Sequence, residues 1–534
     1  MRTHAHRGSA WWGIGILYLP VVLYYATHYA AAITHPGLKP TGFIQYDLPY
    51  SMACAREFND VGSHGLLFPL PSLPTAHNTP ILLQLHVWAL GQVWRVTHID
   101  PGLLYVLFGA LFGLFAVRAF VRVFDLFIPS NGAARMWGQI IFLWGGGLFV
   151  VAGEALNIWH ARPIADTWKH LLDLDPAHGW WMLSLGRCLL LPNEAYYHFL
   201  FFSALLAVVR KRFALAVLLL IVLAASHPFA GMGGLLVFLV WSSAELGITR
   251  ERTAPLFFPI VLLLTMATCM YYYFGWLPSR MDPQLASALG DRFTLRWFSM
   301  IPAYLLVAIM AAMRLRAQAR FTSFCSSPAH RFLLILMIVQ VALENHDLFL
   351  PAHQPLHFTR GYQWAALFLI GAPWLMDEAW PAVKVRWNSA SRVIAVLVIG
   401  LFVLDNAAFF TLNMKRQLRA SSPGFWLTPD QQSVLAELNE HFDPRSLLIA
   451  QEPDLAYMAT VYTPWRAYRS HFFNSNDAWS RVREQEAYFR GSIIDPLLNP
   501  PLTVVANRAA GDFVPPGRSE LIYENMTYRV FQMR

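Results

Sequence analysis

Gly42–Asp60 reads GFIQYDLPYSMACAREFND and follows directly on an apolar run from Trp11 to Ile33. The run exceeds the about 20 residues that cross a hydrocarbon layer as a helix. It is too long for a signal-peptide core of roughly 7–15 residues and lacks a cleavage site, so it is expected to be a retained first span. In the stretch behind it, Asp47, Tyr50 and Ala53/Cys54 recur at helical spacing, with Arg56 and Glu57 one further turn along. A carboxylate at the membrane mouth, on an otherwise apolar helix start, is placed to act as a general base. The same residue serves equally as the N-cap of a short interfacial helix ahead of Pro49. Spacing alone leaves both readings open.

Composition sets the surroundings. Of 534 residues, 56% are hydrophobic, 15% aromatic and 13% charged, where an average globular domain has about 25% charged residues. Twenty Trp, 38 Phe and a mean hydropathy of +0.40 do not fit inside a water-soluble surface. A soluble enzyme, a disordered scaffold and a nucleic-acid partner are thereby excluded, despite a net charge of +8. Of the basic residues 35 are Arg and 5 are Lys, which favours bidentate contacts with phosphate or carboxylate. Four Cys (54, 188, 269, 325) show neither CxxC nor Cys/His spacing, so neither zinc nor a disulfide framework is implied.

Ten further apolar segments fall near 102–120, 136–155, 194–209, 213–226, 229–247, 255–275, 298–313, 332–346, 361–377 and 393–413. The expected class is therefore an all-α polytopic membrane protein with about 11 transmembrane helices. With a cytoplasmic N-terminus, the inner loops hold Arg118/Arg122/Arg135, Arg210/Lys211/Arg212, Arg250/Arg252, Arg314/Arg316/Arg320/Arg331 and Lys384/Arg386/Arg392. Together with Arg2 and Arg7 these make 17 basic residues, the asymmetry of the positive-inside rule. It requires Pro80–Val93 to lie at the outer interface rather than cross. Lys415, Arg416 and Arg419 stand against it. Residues 1–419 are then the membrane domain, with outer loops 34–101, 156–193, 276–297 and 347–360. The tail 420–534 lies outside the cytoplasm. It holds 10 Arg, 13 Asp+Glu and no Lys, and reads as a small α/β domain: strands at Ser446–Ala450 and Thr503–Ala506, a helix at Ala478–Phe489, and a terminal strand or hairpin at Leu521–Met533.

Beyond Asp47, Asn78–Leu90 (NTPILLQLHVWAL) is a polar turn and Pro before an interfacial helix, and the span Gly102–Phe124 ends in RAFVRVF. His86, Gln84 and Trp88 on that helix read as packing. This order resembles the GT-C superfamily of membrane glycosyltransferases, which use polyprenyl-phosphate-linked sugars. In that superfamily a first span leads to an outer loop with an acidic start, a Pro-led interfacial helix, and a span with a basic inner end. The likeness is best over residues 1–125, and the eleven-span layout with an outer tail extends it over the chain. It implies that Asp47 deprotonates the acceptor hydroxyl or organises the site. Many members carry a second acid beside the first, whereas here Asp47 is followed by Leu48. A second carboxylate would have to come from Glu154, Asp166, Glu194, Glu344 or Asp347.

Two more outer clusters carry chemistry. The second loop holds His160, Arg162, Asp166, Lys169, Asp173, Asp175, His178 and Arg187 among Trp159, Trp168, Trp180 and Trp181. Trp there anchors the interface, and Trp beside carboxylates also suits a sugar ring with its hydroxyls. Glu194 opens a span and is expected to face a partner or a wet cavity. The third cluster is Glu344–Arg360, ENHDLFLPAHQPLHFTR. Its His353 and His357 are four apart, but Pro355 argues against the helix a metal pair would need. Arg360 suits bidentate phosphate binding, while an interfacial loop of solvated His remains the alternative. Ser226–His227–Pro228, on the same outer side, reads either as a plain turn or as one more His for that cavity. In the tail, Arg466, Arg469 and His471 either bind an acceptor glycan or brace the domain.

The expected function is transfer of a hexosyl or pentosyl group from a polyprenyl-phosphate-linked sugar donor to an extracytoplasmic glycan, lipid or protein acceptor, in a bacterial inner or plasma membrane. Asp47 is the catalytic candidate. Tyr50, Arg56, Asp166, Arg187, Glu194, His353, His357 and Arg360 are the substrate-binding ones. No cofactor is implied, and the residues lend no support to a divalent metal. A transporter or lipid-handling protein, using Glu154, Glu194 and Glu344 as a path, and an inactive scaffold are the alternatives. Against transport, the halves show no inverted repeat.

Overall fold

The computed structural model describes residues 7–59, 65–71, 79–129, 132–248, 254–281, 293–316, 318–421, 424–474, 478–493, 495–499, 501–511 and 513–534. Arg2, Arg250, Arg252 and most of the loop 276–297 lie outside them. Among the described residues, six helices are long and apolar enough to cross a membrane: Trp11–Thr34, Pro101–Phe127, Pro228–Gly247, Phe257–Trp276, Trp297–Leu315 and Ser391–Leu418. The number rises to 8 if each of two bent pairs counts as one span. Those pairs are Ala134–Trp144 with Phe149–Trp159, bent by 57°, and Ala319–Ser326 with Pro328–Glu344, bent by 104°. The expected segments 194–209, 213–226 and 361–377 are helical too, as Pro192–Val209, Phe213–Ala224 and Tyr362–Trp374.

Contacts divide the chain into two units. One comprises Met1–Tyr24, Phe108–Tyr272 and Gly290–Asn413, and the other Tyr25–Leu107, Tyr273–Leu289 and Met414–Arg534.

The first unit is helical, and both of its breaks have a stated cause. Gly145, Gly146 and Gly147 interrupt the first bent pair. A Cβ on Gly147 would run into the Pro302 carbonyl, and one on Gly146 would come within 2.9 Å of the Asp405 side chain. Glycine thus permits neighbours to reach the opened backbone. Gly146 N–H donates to Phe402 O and Leu148 N–H to Pro302 O, each at 2.7 Å. Asp405, from the Ser391–Leu418 helix, accepts Phe149 N–H and Val150 N–H at 2.9 Å each. A carboxylate from another helix thereby caps the second half-helix and satisfies donors that lipid would leave bare. At the second break, Arg331 forms a bidentate pair with Glu245 (2.5 and 2.6 Å) and donates to the carbonyls of Cys325 and Ser326. Other basic residues expected on the inner side are paired as well: Arg135 with Asp125, and Arg314 and Arg320 with Glu378.

The second unit joins the first outer loop to the tail. Leu48–Asn59 packs on Leu85–Thr97 at Gly91, where a Cβ would lie 2.6 Å from Phe58 Cβ. Lys39–Pro40 pairs antiparallel with Trp426–Leu427. The tail holds a four-stranded sheet built from Leu447–Ala450, Leu502–Asn507, Ser519–Glu524 and Tyr528–Met533. Its spatial order is first, second, fourth, third. The first two strands run parallel and the other pairings are antiparallel. Alternation puts Leu447, Ile449, Leu502, Val504, Ala506, Phe531 and Met533 on one face, packed with Tyr468 and Tyr488. Pro429–Glu440 begins with a capping box, Thr428 with Gln431, and has Pro429 in its first turn.

If Asp405 holds the broken helix together, Asp405→Ala lowers stability by about 1–3 kcal/mol, the cost of leaving buried donors unmet. Asp405→Asn, which keeps one carbonyl acceptor, costs less. Thermal unfolding of the detergent-solubilised protein reads the order.

Candidate functional site

In the second unit, the tight turn before Leu48–Asn59 presents Asp47. Asp47 N–H donates to Gln45 Oε1 at 2.7 Å, and Gln45 Nε2–H donates back to Asp47 Oδ2 at 2.8 Å. Asp47 Oδ1 lies 2.8 Å from His471 Nε2. The Asp47 side chain is 59% exposed, while that of His471 is 2% exposed. A buried imidazole therefore holds a carboxylate that faces outward. The imidazole is walled by Tyr46, Tyr50 and Tyr457, with ring centroids at 5.0, 5.1 and 5.6 Å. Tyr46 is itself fixed: its hydroxyl accepts Phe472 N–H, and its carbonyl accepts the Tyr457 hydroxyl, both at 3.0 Å. Burial pushes the Tyr50 phenol well above its usual range, so it keeps its proton.

The same unit gives Arg56 and Arg466 bracing contacts. Arg56 Nη1 donates to Val461 O at 2.8 Å, and its guanidinium lies over Trp94. Arg466 pairs with Glu57 at 2.6 Å and donates to Leu70 O. On Leu85–Thr97, burial pushes the His86 imidazole down to about 3, so it is neutral and packs as a core residue.

In the first unit, Arg360 and Glu194 form a buried ion pair. Arg360 ends the third loop cluster, and Glu194 opens Pro192–Val209. Arg360 Nη2 lies 3.4 Å from His227 Nε2, and the guanidinium sits over the Tyr197 ring. The Arg360 carbonyl is held by His198 Nε2 at 2.7 Å, and the other His198 nitrogen meets Glu194 O at 2.7 Å. The backbone and the side chain of Arg360 are thus both fixed by Pro192–Val209. His227 joins this group, as one of the two sequence readings has it.

Arg187 is buried and paired to Asp175 at 2.5 Å. It also donates to Asn406 Oδ1 and Gly179 O and lies over Phe409. Arg187 lines a small cavity with Gly146, Gly147, Ser184, Trp364 and Asp405. Asp166 is exposed and paired with Lys169 at 2.6 Å, which holds its carboxyl below the usual range. His357 stacks on Phe229 and meets Trp181 edge-on. His353 N–H donates to His346 Nε2 at 3.0 Å. Among the described residues no group of three or more His, Cys, Asp or Glu is placed to hold a metal ion.

The structure thus gathers Arg360, Glu194 and His227 into one group, and Asp47 and Tyr50 into another with His471. Sequence spacing carried no sign of the Asp47–His471 contact, whose partners stand 424 positions apart. Nor did it mark Asp175 as the partner of Arg187, or Asp405 as a helix cap.

No family model matches the chain, and no curated protein matches it in sequence. Among solved structures, ArnT from Cupriavidus metallidurans bound to undecaprenyl phosphate is similar at a TM-score of 0.50 and 11% identity, over 97% of each chain. The Archaeoglobus fulgidus oligosaccharyltransferase in the apo form gives a TM-score of 0.45 and 11% identity, over 94% of this chain and 70% of that one. A broken-helix unit, a loop joined to an α/β tail and this likeness over nearly the whole chain lead to one conclusion: the chain shares the fold of ArnT.

Proposed function

We propose that the protein transfers a sugar from a polyprenyl-phosphate donor to an acceptor outside the cytoplasm. The observation that carries this reading is the outward-facing Asp47 carboxylate, held by Gln45 and His471 within a chain of GT-C fold. That the structurally similar ArnT was solved bound to undecaprenyl phosphate supports a lipid-phosphate donor here. In this reading the chain crosses a bacterial inner membrane eleven times. Its N-terminus is cytoplasmic, and the tail from 420 is the extracytoplasmic domain.

Asp47 takes the acceptor hydroxyl proton as that oxygen attacks the anomeric carbon. The bond to the lipid phosphate breaks, and the phosphate leaves carrying the electron pair. A single displacement inverts the anomeric centre. Within its own unit, Arg360 with Glu194 and His227 beside it is the candidate group for a lipid phosphate. Aromatic rings such as Trp181 offer flat faces to the sugar. Hexosyl or pentosyl specificity, and a glycan, lipid or protein acceptor, belong to the same proposal.

Transport is the weaker reading. Broken helices build transporter sites when their open N-termini face a ligand. Here the N-terminus at Phe149 is already filled by Asp405.

Asp47→Asn tests the role of the base. With undecaprenyl-phosphate-linked hexoses and pentoses and a cell-envelope acceptor fraction, the variant folds as the parent does but loses transfer by at least about 100-fold, the lower range for a positioned base. Full transfer by this variant overturns the assignment. Arg360→Lys replaces a bidentate fork by a point charge. The expected outcome is a donor KM raised about tenfold, the equivalent of roughly 1.4 kcal/mol, with a smaller change in kcat.

A further inference from the structure

His471 comes from the tail, and the donors around it fix its proton. Asn474 N–H points at His471 Nδ1 from 3.2 Å, and the Asn474 side-chain amide nitrogen lies 2.9 Å from the same atom. Both are donors, so Nδ1 is the acceptor and carries no hydrogen. The ring proton therefore sits on Nε2, which faces Asp47 Oδ1 at 2.8 Å. A hydrogen on Nδ1 would cost both Asn474 contacts.

The ring has no freedom to turn away. It is 2% exposed and walled by Tyr46, Tyr50, Tyr457 and Phe473. The following turn, Phe472–Asn474, is anchored through Phe472 N–H to the Tyr46 hydroxyl. Asp47, by contrast, sits on a surface turn with its side chain more than half exposed. Gln45, which also holds the carboxylate, stands only two residues back on the same turn. The rigid partner supplies the direction.

We propose that His471 is the positioning residue for Asp47: donating from Nε2 to Oδ1, it aims the carboxylate so that Oδ2 is presented to the acceptor hydroxyl. The inference rests on Asp47 being the base of the proposed transfer. It gives the tail a part in the reaction, since a deletion or displacement of that domain removes the group that orients the base. His471 itself neither accepts nor donates a proton in the displacement. The acceptor proton goes to Asp47, and the His471 Nε2–H bond persists throughout.

Two nearly isosteric substitutions separate positioning from simple bracing. In His471→Gln, the terminal amide reaches the place of Nε2 and donates to Asp47. In His471→Asn, the amide stops near Nδ1, keeps the Asn474 side of the network and removes the bond to Asp47 Oδ1. In transfer from undecaprenyl-phosphate-linked sugar, His471→Asn lowers kcat on the order of 100-fold, the scale of a misplaced reacting group. Donor KM stays within about twofold of the parent, because ground-state binding is not removed. His471→Gln recovers to within about tenfold of the parent rate. Equal rates for the two variants, high or low, overturn the proposal, as does a change confined to KM.

Asn474→Ala, which leaves the ring and its backbone donor in place, guards against loss of folding in either variant. A kcat decrease of several-fold at unchanged KM supports the proposal, and an unchanged kcat overturns it. Asp47→Asn in the same assay distinguishes the two levels. If it transfers at the parent rate, the base assignment fails and positioning fails with it. If it is inactive while His471→Asn is not, only the positioning role fails.

Discussion

Inside a bilayer core no water can bond to a backbone amide, and that constraint governs where this chain bends. Most of the membrane unit obeys it with continuous helices. At Gly145–Gly147 the ladder opens, and every remedy comes from elsewhere in the unit: the Phe402 and Pro302 carbonyls and the Asp405 carboxylate. Gly146 and Gly147 are the condition for this repair, because a Cβ there would run into Asp405 and the Pro302 carbonyl. The second break uses another remedy, with the Arg331 guanidinium collecting the carbonyls of Cys325 and Ser326.

Charge follows the same economy. Arg187, Arg331 and Arg360 are buried and carry carboxylate partners in Asp175, Glu245 and Glu194. Each pair is costly to break, because removing one partner leaves the other charged and desolvated. That rigidity suits a site better than it suits stability. Arg360 is held in one orientation by Glu194, His227 and Tyr197. Asp47 is the reverse case: the carboxylate is exposed, and it is the partner His471 that is buried.

The local elements were legible because their signals are local. The tail strands at Leu447–Ala450 and Leu502–Asn507, the Ala478–Phe489 helix and the terminal hairpin fall where alternation and helical period put them. The first outer loop yielded its helix from the spacing of Asp47, Tyr50 and Cys54. Spans were harder. Pro192–Val209 and Tyr362–Trp374 are helices, yet the first carries Glu194 and His198, and the second has 13 residues before a π-turn. Hydropathy alone does not distinguish such segments from buried core helices.

The sequence by itself determined that the chain lives in lipid, since 13% charged residues and 38 Phe leave no other solvent for it. It also marked out the candidate residues, because Asp, His and Arg stand out against an apolar background. Only the tertiary structure decided the pairings. His471 meets Asp47 across 424 positions, and Arg360 meets Glu194 across 166. No local period encodes such a distance. Closing a long loop costs little more than closing a short one, so packing decides which distant carboxylate each cation or imidazole meets. In this chain that choice separates a helix cap from a braced arginine and a braced arginine from a held, exposed carboxylate.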